Sequence, residues 1–114
     1  MDYNHCFAHG IHVLTTGRVF AAPVAEIVLG LALSLERNIV GADRAFRQDK
    51  ELWGGDGNTE ARLISGGNVD FIGFGDLGGA LHRLLAGFSA NIRVYNLGLP
   101  KGILEDFGGS TCWS

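Results

Sequence analysis

Residues 71–79, FIGFGDLGG, decide the reading of this chain. Gly73, Gly75 and Gly78 fall on the G-x-G-x-x-G spacing of a turn that leads from a strand into a helix and seats a phosphate. The flanks agree. NVDFI (68–72) alternates like a strand and ANIRVY (90–95) like another. Between them Leu77, Leu81, Leu84, Leu85 and Phe88 recur at helical spacing. Residues 68–96 therefore predict one parallel βαβ unit.

Each glycine has a physical task in such a turn. Gly73 allows the tight exit from the strand, Gly75 lets the backbone approach a pyrophosphate, and Gly78 lets the helix lie close to the sheet. The free N–H groups at the helix start, around Asp76 and Leu77, would point at the anion, aided by the helix dipole. Two residues complicate this. The Asp76 carboxylate suits the helix dipole but repels a phosphate if it turns inward. A ribose-binding acid belongs about 20 positions beyond the turn, and Asn96 stands there. An amide oxygen accepts a hydroxyl proton without the strength of a charged acceptor, and it does not repel a 2′-phosphate. Asn96 reads equally well as a plain turn residue after a strand.

Upstream, VFAAPVAEIVLGLALSL (19–35) is almost wholly apolar. Glu26 near its centre and Pro23 within it oppose a membrane span, and the run starts too late for a signal peptide. It is expected to be a helix over 22–48, with Pro23 in its first turn and most of its circumference buried. Gly30 and Gly41 weaken it by about 1 kcal/mol each relative to alanine. GIHVLTT (10–16) reads as a strand or extended crossover, WGGDGN (53–58) as a loop, and residues 101–107 as a one-turn helix.

With 114 residues there is room for one domain, and 46% hydrophobic with 18% charged residues is globular composition. A net charge of −3 without a basic patch argues against nucleic acid. Cys6 and Cys112 form no C-x-x-C or disulfide framework, so a reducing cytoplasm is expected. His5, Cys6, His9 and His12 invite a metal reading, but strand geometry would split 9 from 12 and no carboxylate pair completes a shell, so no metal is expected. His82 reads as a surface residue.

Taken in order, GIHVLTTG (10–17), VAEIVLGLALSLERNIVGADRAFR (24–47), Trp53, VDFIGFGDLGGAL (69–81), LAGFSANIRVYN (85–96) and LP (99–100) resemble the nucleotide-binding domain of the D-isomer-specific 2-hydroxyacid dehydrogenases, the group containing phosphoglycerate dehydrogenase. The resemblance runs from about residue 6 to 108. It implies an α/β fold, a partial Rossmann unit behind a long N-terminal apolar helix, with a crossover segment over 1–21, an interface helix over 22–48 and the dinucleotide unit over 68–96. It implies NAD as cofactor, held by Gly73, Phe74, Gly75, Asp76, Leu77, Gly78 and Asn96, with NADP left open by Asn96. It places Glu26 in a structural V-A-E and brings Thr15, Thr16 and Arg18 toward the nicotinamide end.

The chain departs from the family at two of these positions: an arginine is usual at Asp76 and an aspartate at Asn96. The family's catalytic arginine, glutamate and histidine lie beyond the second strand, and none of His5, His9, His12 or His82 occupies that histidine's place. The expectation is therefore a truncated, NAD-binding portion of an oxidoreductase acting on the CH–OH group of a D-2-hydroxy acid, inactive alone and without catalytic residues of its own. The alternative is a non-catalytic module that self-associates or dimerises through the helix over 22–48. Neither nucleic acid nor membrane is expected as a partner.

Overall fold

A computed structural model describes residues 1–54, 57, 59–96 and 111–113. The helix expected over 101–107 and the LP match at 99–100 lie outside the described residues.

The chain opens with a helix that the sequence reading did not include, α1 (Tyr3–Ala8). Asp2 caps it, its carboxylate accepting the His5 amide at 3.0 Å, which satisfies one of the donors a helix start leaves free. Residues 11–16 form no strand. The sheet contains only β1, β2 and β3 among the described residues, so the β-branched run pairs with none of them.

The single helix expected over 22–48 is two helices, α2 (Gly17–Glu36) and α3 (Ile39–Phe46). α2 starts five residues early because the Thr16 carbonyl accepts the amides of Val19 and Phe20 at 3.1 and 3.3 Å. Pro23 consequently lies inside the helix instead of in its first turn. The break falls at Asn38, which is left-handed at φ 50°. Asparagine tolerates that conformation better than most side chains. Its carboxamide lies over Gly41, in space a Cβ would need.

The βαβ unit agrees with the reading to within a few residues. It comprises β1 (Asn68–Ile72), α4 (Asp76–Leu85), a 3-10 turn over Ala86–Phe88 and β2 (Asn91–Tyr95). β1 and β2 are parallel, with Asn68 opposite Asn91 and Ile72 opposite Tyr95. A third strand, β3 (Thr111–Trp113), pairs parallel with β2, giving the order β1-β2-β3.

Strand alternation sorts the sheet into two unlike faces. Phe71 and Val94 are buried and join Ile64, Phe74 and Leu85 in the core, with Leu29, Ala32 and Leu33 of α2 packed against it. Asp70, Ile72, Arg93 and Tyr95 point the other way and are exposed.

α2 is far less covered than expected. Only Ala21 and Ala25 are buried, against Ala80 of α4, and small side chains there let the two helices approach closely. Val19, Phe20, Ile27, Leu31 and Leu35 are exposed. The physical reason is that α2 meets the α4 layer on one side and, among the described residues, nothing covers the other. The radius of gyration is 19.4 Å, against about 13 Å for a compact domain of this length.

Candidate functional site

The turn between β1 and α4 gathers six of the seven residues singled out in the sequence. Gly73 is left-handed, φ +88°, a conformation that side chains rarely adopt. Its amide donates to the Tyr95 carbonyl at 2.7 Å, which ties the turn to the end of β2. That bond sets the turn beside Asn96, the seventh residue and the next along the chain. Both lie at the carboxyl ends of parallel strands, the edge where open α/β sheets bind ligands.

Gly75 is the N-cap of α4 and no side chain caps that helix. Intrahelical bonding begins with the Gly79 amide donating to the Gly75 carbonyl at 2.9 Å. The N–H groups before it are the donors that helix geometry leaves without partners. A Cβ built on Gly75 meets nothing within 4 Å. The backbone is therefore open to a group that needs several donors and no side chain in the way, as a pyrophosphate does. Gly78 is buried, and a Cβ there would come within 3.2 Å of the Phe74 ring.

Phe74 itself points inward. It is buried against Phe71, ring centroids 5.5 Å apart, and meets His82 edge-on at 6.0 Å. Its ring is turned into the core and away from a ligand at the turn. His82, expected at the surface, is half-buried behind the turn. The i to i+8 relation between Phe74 and His82 crosses a turn and two helical turns, so no simple sequence period reveals it. Leu77 is exposed on the first turn of α4.

The residue missed as part of this site is Arg18. It lies at the phosphate turn, its Nε 3.5 Å from Asp76 Oδ1, and not merely toward a nicotinamide end. Asp76 thus meets a cation from the start of α2. Glu26 is exposed on α2. His5 and His9 stack on α1, ring centroids 4.2 Å apart, with His9 Nδ1 2.8 Å from the His5 carbonyl oxygen. The strand geometry used to separate His9 from His12 does not apply, since His9 is the C-cap of α1 and His12 lies in no strand. Among the described residues no three His, Cys, Asp or Glu side chains converge as metal ligands.

The turn fits a dinucleotide by these observations: an uncapped helix start, a glycine with open space before it, and a strand end alongside. The residues that would hold the phosphates are the backbone of Gly75, Asp76 and Leu77, with Gly73 shaping the turn and Asn96 toward the ribose.

No family model matches the chain. A glyoxylate/hydroxypyruvate reductase A of Arabidopsis thaliana is 32% identical over 96 residues, which is 84% of this chain and 30% of the reductase. A phosphoglycerate oxidoreductase from Rhizobium etli is 56% identical and superposes with a TM-score of 0.86 over 100% of this chain and 38% of its own. An NADPH-dependent glyoxylate/hydroxypyruvate reductase from Sinorhizobium meliloti is 26% identical, TM-score 0.72, over 99% of this chain and 34% of its own. The chain spans about a third of the length of the relatives it matches.

Proposed function

We propose that this chain, whose homologues and structural neighbours are D-isomer-specific 2-hydroxyacid dehydrogenases, serves as the phosphate- and ribose-binding part of an NAD(P)-dependent oxidoreductase that interconverts D-2-hydroxy acids and 2-oxo acids. The observation that carries the reading is the uncapped start of α4 behind Gly75, set beside Asn96 by the Gly73–Tyr95 hydrogen bond. The cofactor, when bound, supplies hydride exchange with the substrate carbon. The residues described here bind and orient its phosphates and contribute no acid or base to the reacting carbon, so the segment is inactive alone.

NAD is the expected cofactor, with NADP accepted at comparable strength. Asn96 brings no negative charge to the ribose edge, so it gives neither the charge-assisted hydrogen bond that favours NAD nor the repulsion that rejects a 2′-phosphate. The NADPH dependence of the Sinorhizobium meliloti relative is in keeping with this. A cytoplasmic protein is proposed because Cys6 and Cys112 form neither a C-x-x-C motif nor a disulfide framework.

A second reading, self-association through α2, is favoured by one observation. Phe20, Ile27 and Leu31 lie at helical spacing and are exposed, an apolar stripe of a kind that marks an interface. α2 is also long and apolar enough to cross a membrane by length and composition; Arg18 and Glu26 within it favour a protein partner.

Titration of the purified chain with NADH and NADPH, followed by tryptophan fluorescence or heat, tests the first reading. Saturable binding of both within a factor of about ten supports it. A folded chain that binds neither would leave the association reading standing alone.

A further inference from the structure

Asp76 is in an unfavourable place for the function proposed above. A carboxylate on the first turn of α4 stands next to the donors that would hold a phosphate, and like charges that close repel. Three observations show how the carboxylate is disposed. Arg18 Nε lies 3.5 Å from Asp76 Oδ1. A Cβ built on Gly17 would come within 3.2 Å of Asp76 Oδ2, so the carboxylate leans against the backbone at the start of α2. That end of α2 carries the positive pole of a 20-residue helix. The Asp76 charge is thus drawn toward α2, a direction set by Gly17 and Arg18 together.

Arg18 has no packing task that would explain its place. Its side chain is 91% exposed, and exposed ion pairs contribute little to folding stability. The pair is better understood by what it does to the electrostatic potential of the turn.

We infer that Gly17 and Arg18 form a charge-compensating seat that holds the Asp76 carboxylate off the phosphate turn, so that Arg18 is a positioning residue for dinucleotide binding although it is not required to touch the ligand. The inference rests on the dinucleotide reading. It also connects two distant parts of the chain. The start of α2, at the end of the crossover segment, governs the charge felt at the glycine turn, so a displacement of that segment would lower affinity for the cofactor.

The test is NADH titration by calorimetry at low and high salt for the wild-type chain, Arg18→Gln, Arg18→Lys, Asp76→Asn and the double variant Arg18→Gln/Asp76→Asn, with far-UV circular dichroism and melting of each. Arg18→Gln is expected to bind about three- to tenfold more weakly at low salt, with the loss shrinking as salt screens it. Arg18→Lys keeps the charge and binds within about twofold of wild type. The double variant regains wild-type affinity, because without the carboxylate there is nothing to compensate. Melting is unchanged throughout. A purely structural role would move melting and would not be rescued by removing Asp76. If wild type binds and Arg18→Gln binds equally well, the seat is overturned while the dinucleotide reading stands. If the double variant stays as weak as Arg18→Gln, Arg18 acts on the ligand directly and the seat is again overturned. If wild type shows no saturation, both fall together.

Discussion

Asp70 and Arg93 face each other across the parallel β1–β2 register in a two-pronged ion pair, Nε to Oδ1 at 2.5 Å and Nη2 to Oδ2 at 2.7 Å. Each is an outward residue of its strand, so the pair lies on the sheet face opposite the core. The hydrogen bonds from Arg93 hold the Asp70 carboxyl below its ordinary 3.8, and the guanidinium charge adds to that effect. The folded value is below the unfolded one. The pair's contribution is therefore full above the ordinary value and is lost as pH falls through the lowered one. Urea midpoints of wild type and Asp70→Asn are expected to differ modestly at pH 7 and to converge as the pH drops below about 3.8. A gap that stays constant down to pH 2 would show that Asp70 titrates alike in both states.

Gly75→Ala separates fold from ligand binding. Its φ of −101° suits alanine, and the added Cβ meets nothing within 4 Å. Melting should be unchanged. Dinucleotide affinity should fall by about tenfold or more, since the methyl group takes up space the phosphates need. Equal affinity for wild type and variant would remove the turn from the binding site.

Gly78 tests packing instead. A methyl group there gains about 1 kcal/mol of helix propensity but presses on Phe74 at 3.2 Å. Gly78→Ala should be near neutral. Gly78→Val adds bulk that the ring cannot yield to, and should cost about 1–3 kcal/mol in urea unfolding. A stable valine variant would mean that Phe74 is loosely held.

On α2, Leu31→Glu places a charge on the exposed stripe. If α2 joins two copies, light scattering should find the variant monomeric at concentrations where wild type is not. Leu31 is 60% exposed, so unfolding measured well below the association range should shift by no more than about 0.5 kcal/mol. Dimers that survive the substitution would place the contact elsewhere.

The sequence made the βαβ unit legible because its signals are local. Strand alternation, a glycine turn and helical spacing each span at most a dozen residues, and β1 is bounded as they indicate. The long helix departs from its sequence pattern where a local rule meets a tertiary one. Pro23 suggested a helix start, but the Thr16 carbonyl and the packing of Ala21 on α4 begin the helix earlier. Asn38 carried the signal for the break at Glu36–Ile39, and the apolar residues on both sides hid it. Asp2 is a cap for α1 that the sequence itself offers. Arg18 at the glycine turn could not have been found by spacing, because it reaches Asp76 only once α2 has packed on α4.

The order of the elements also ranks the molecule's parts by how readily they come loose. β1, α4 and β2 follow one another directly, so their contacts close short loops, whereas α2 reaches α4 across the whole middle of the chain and closes a long one. The contact it makes there joins Ala21 and Ala25 to Ala80, with Leu29, Ala32 and Leu33 only partly buried against the core. In native-state hydrogen exchange the amides of α2 should open as a unit before the sheet, while those of Phe71 and Val94 persist to global unfolding. A molecule that releases its longest helix before its sheet would hold the glycine turn in shape while the Arg18 end of α2 comes and goes.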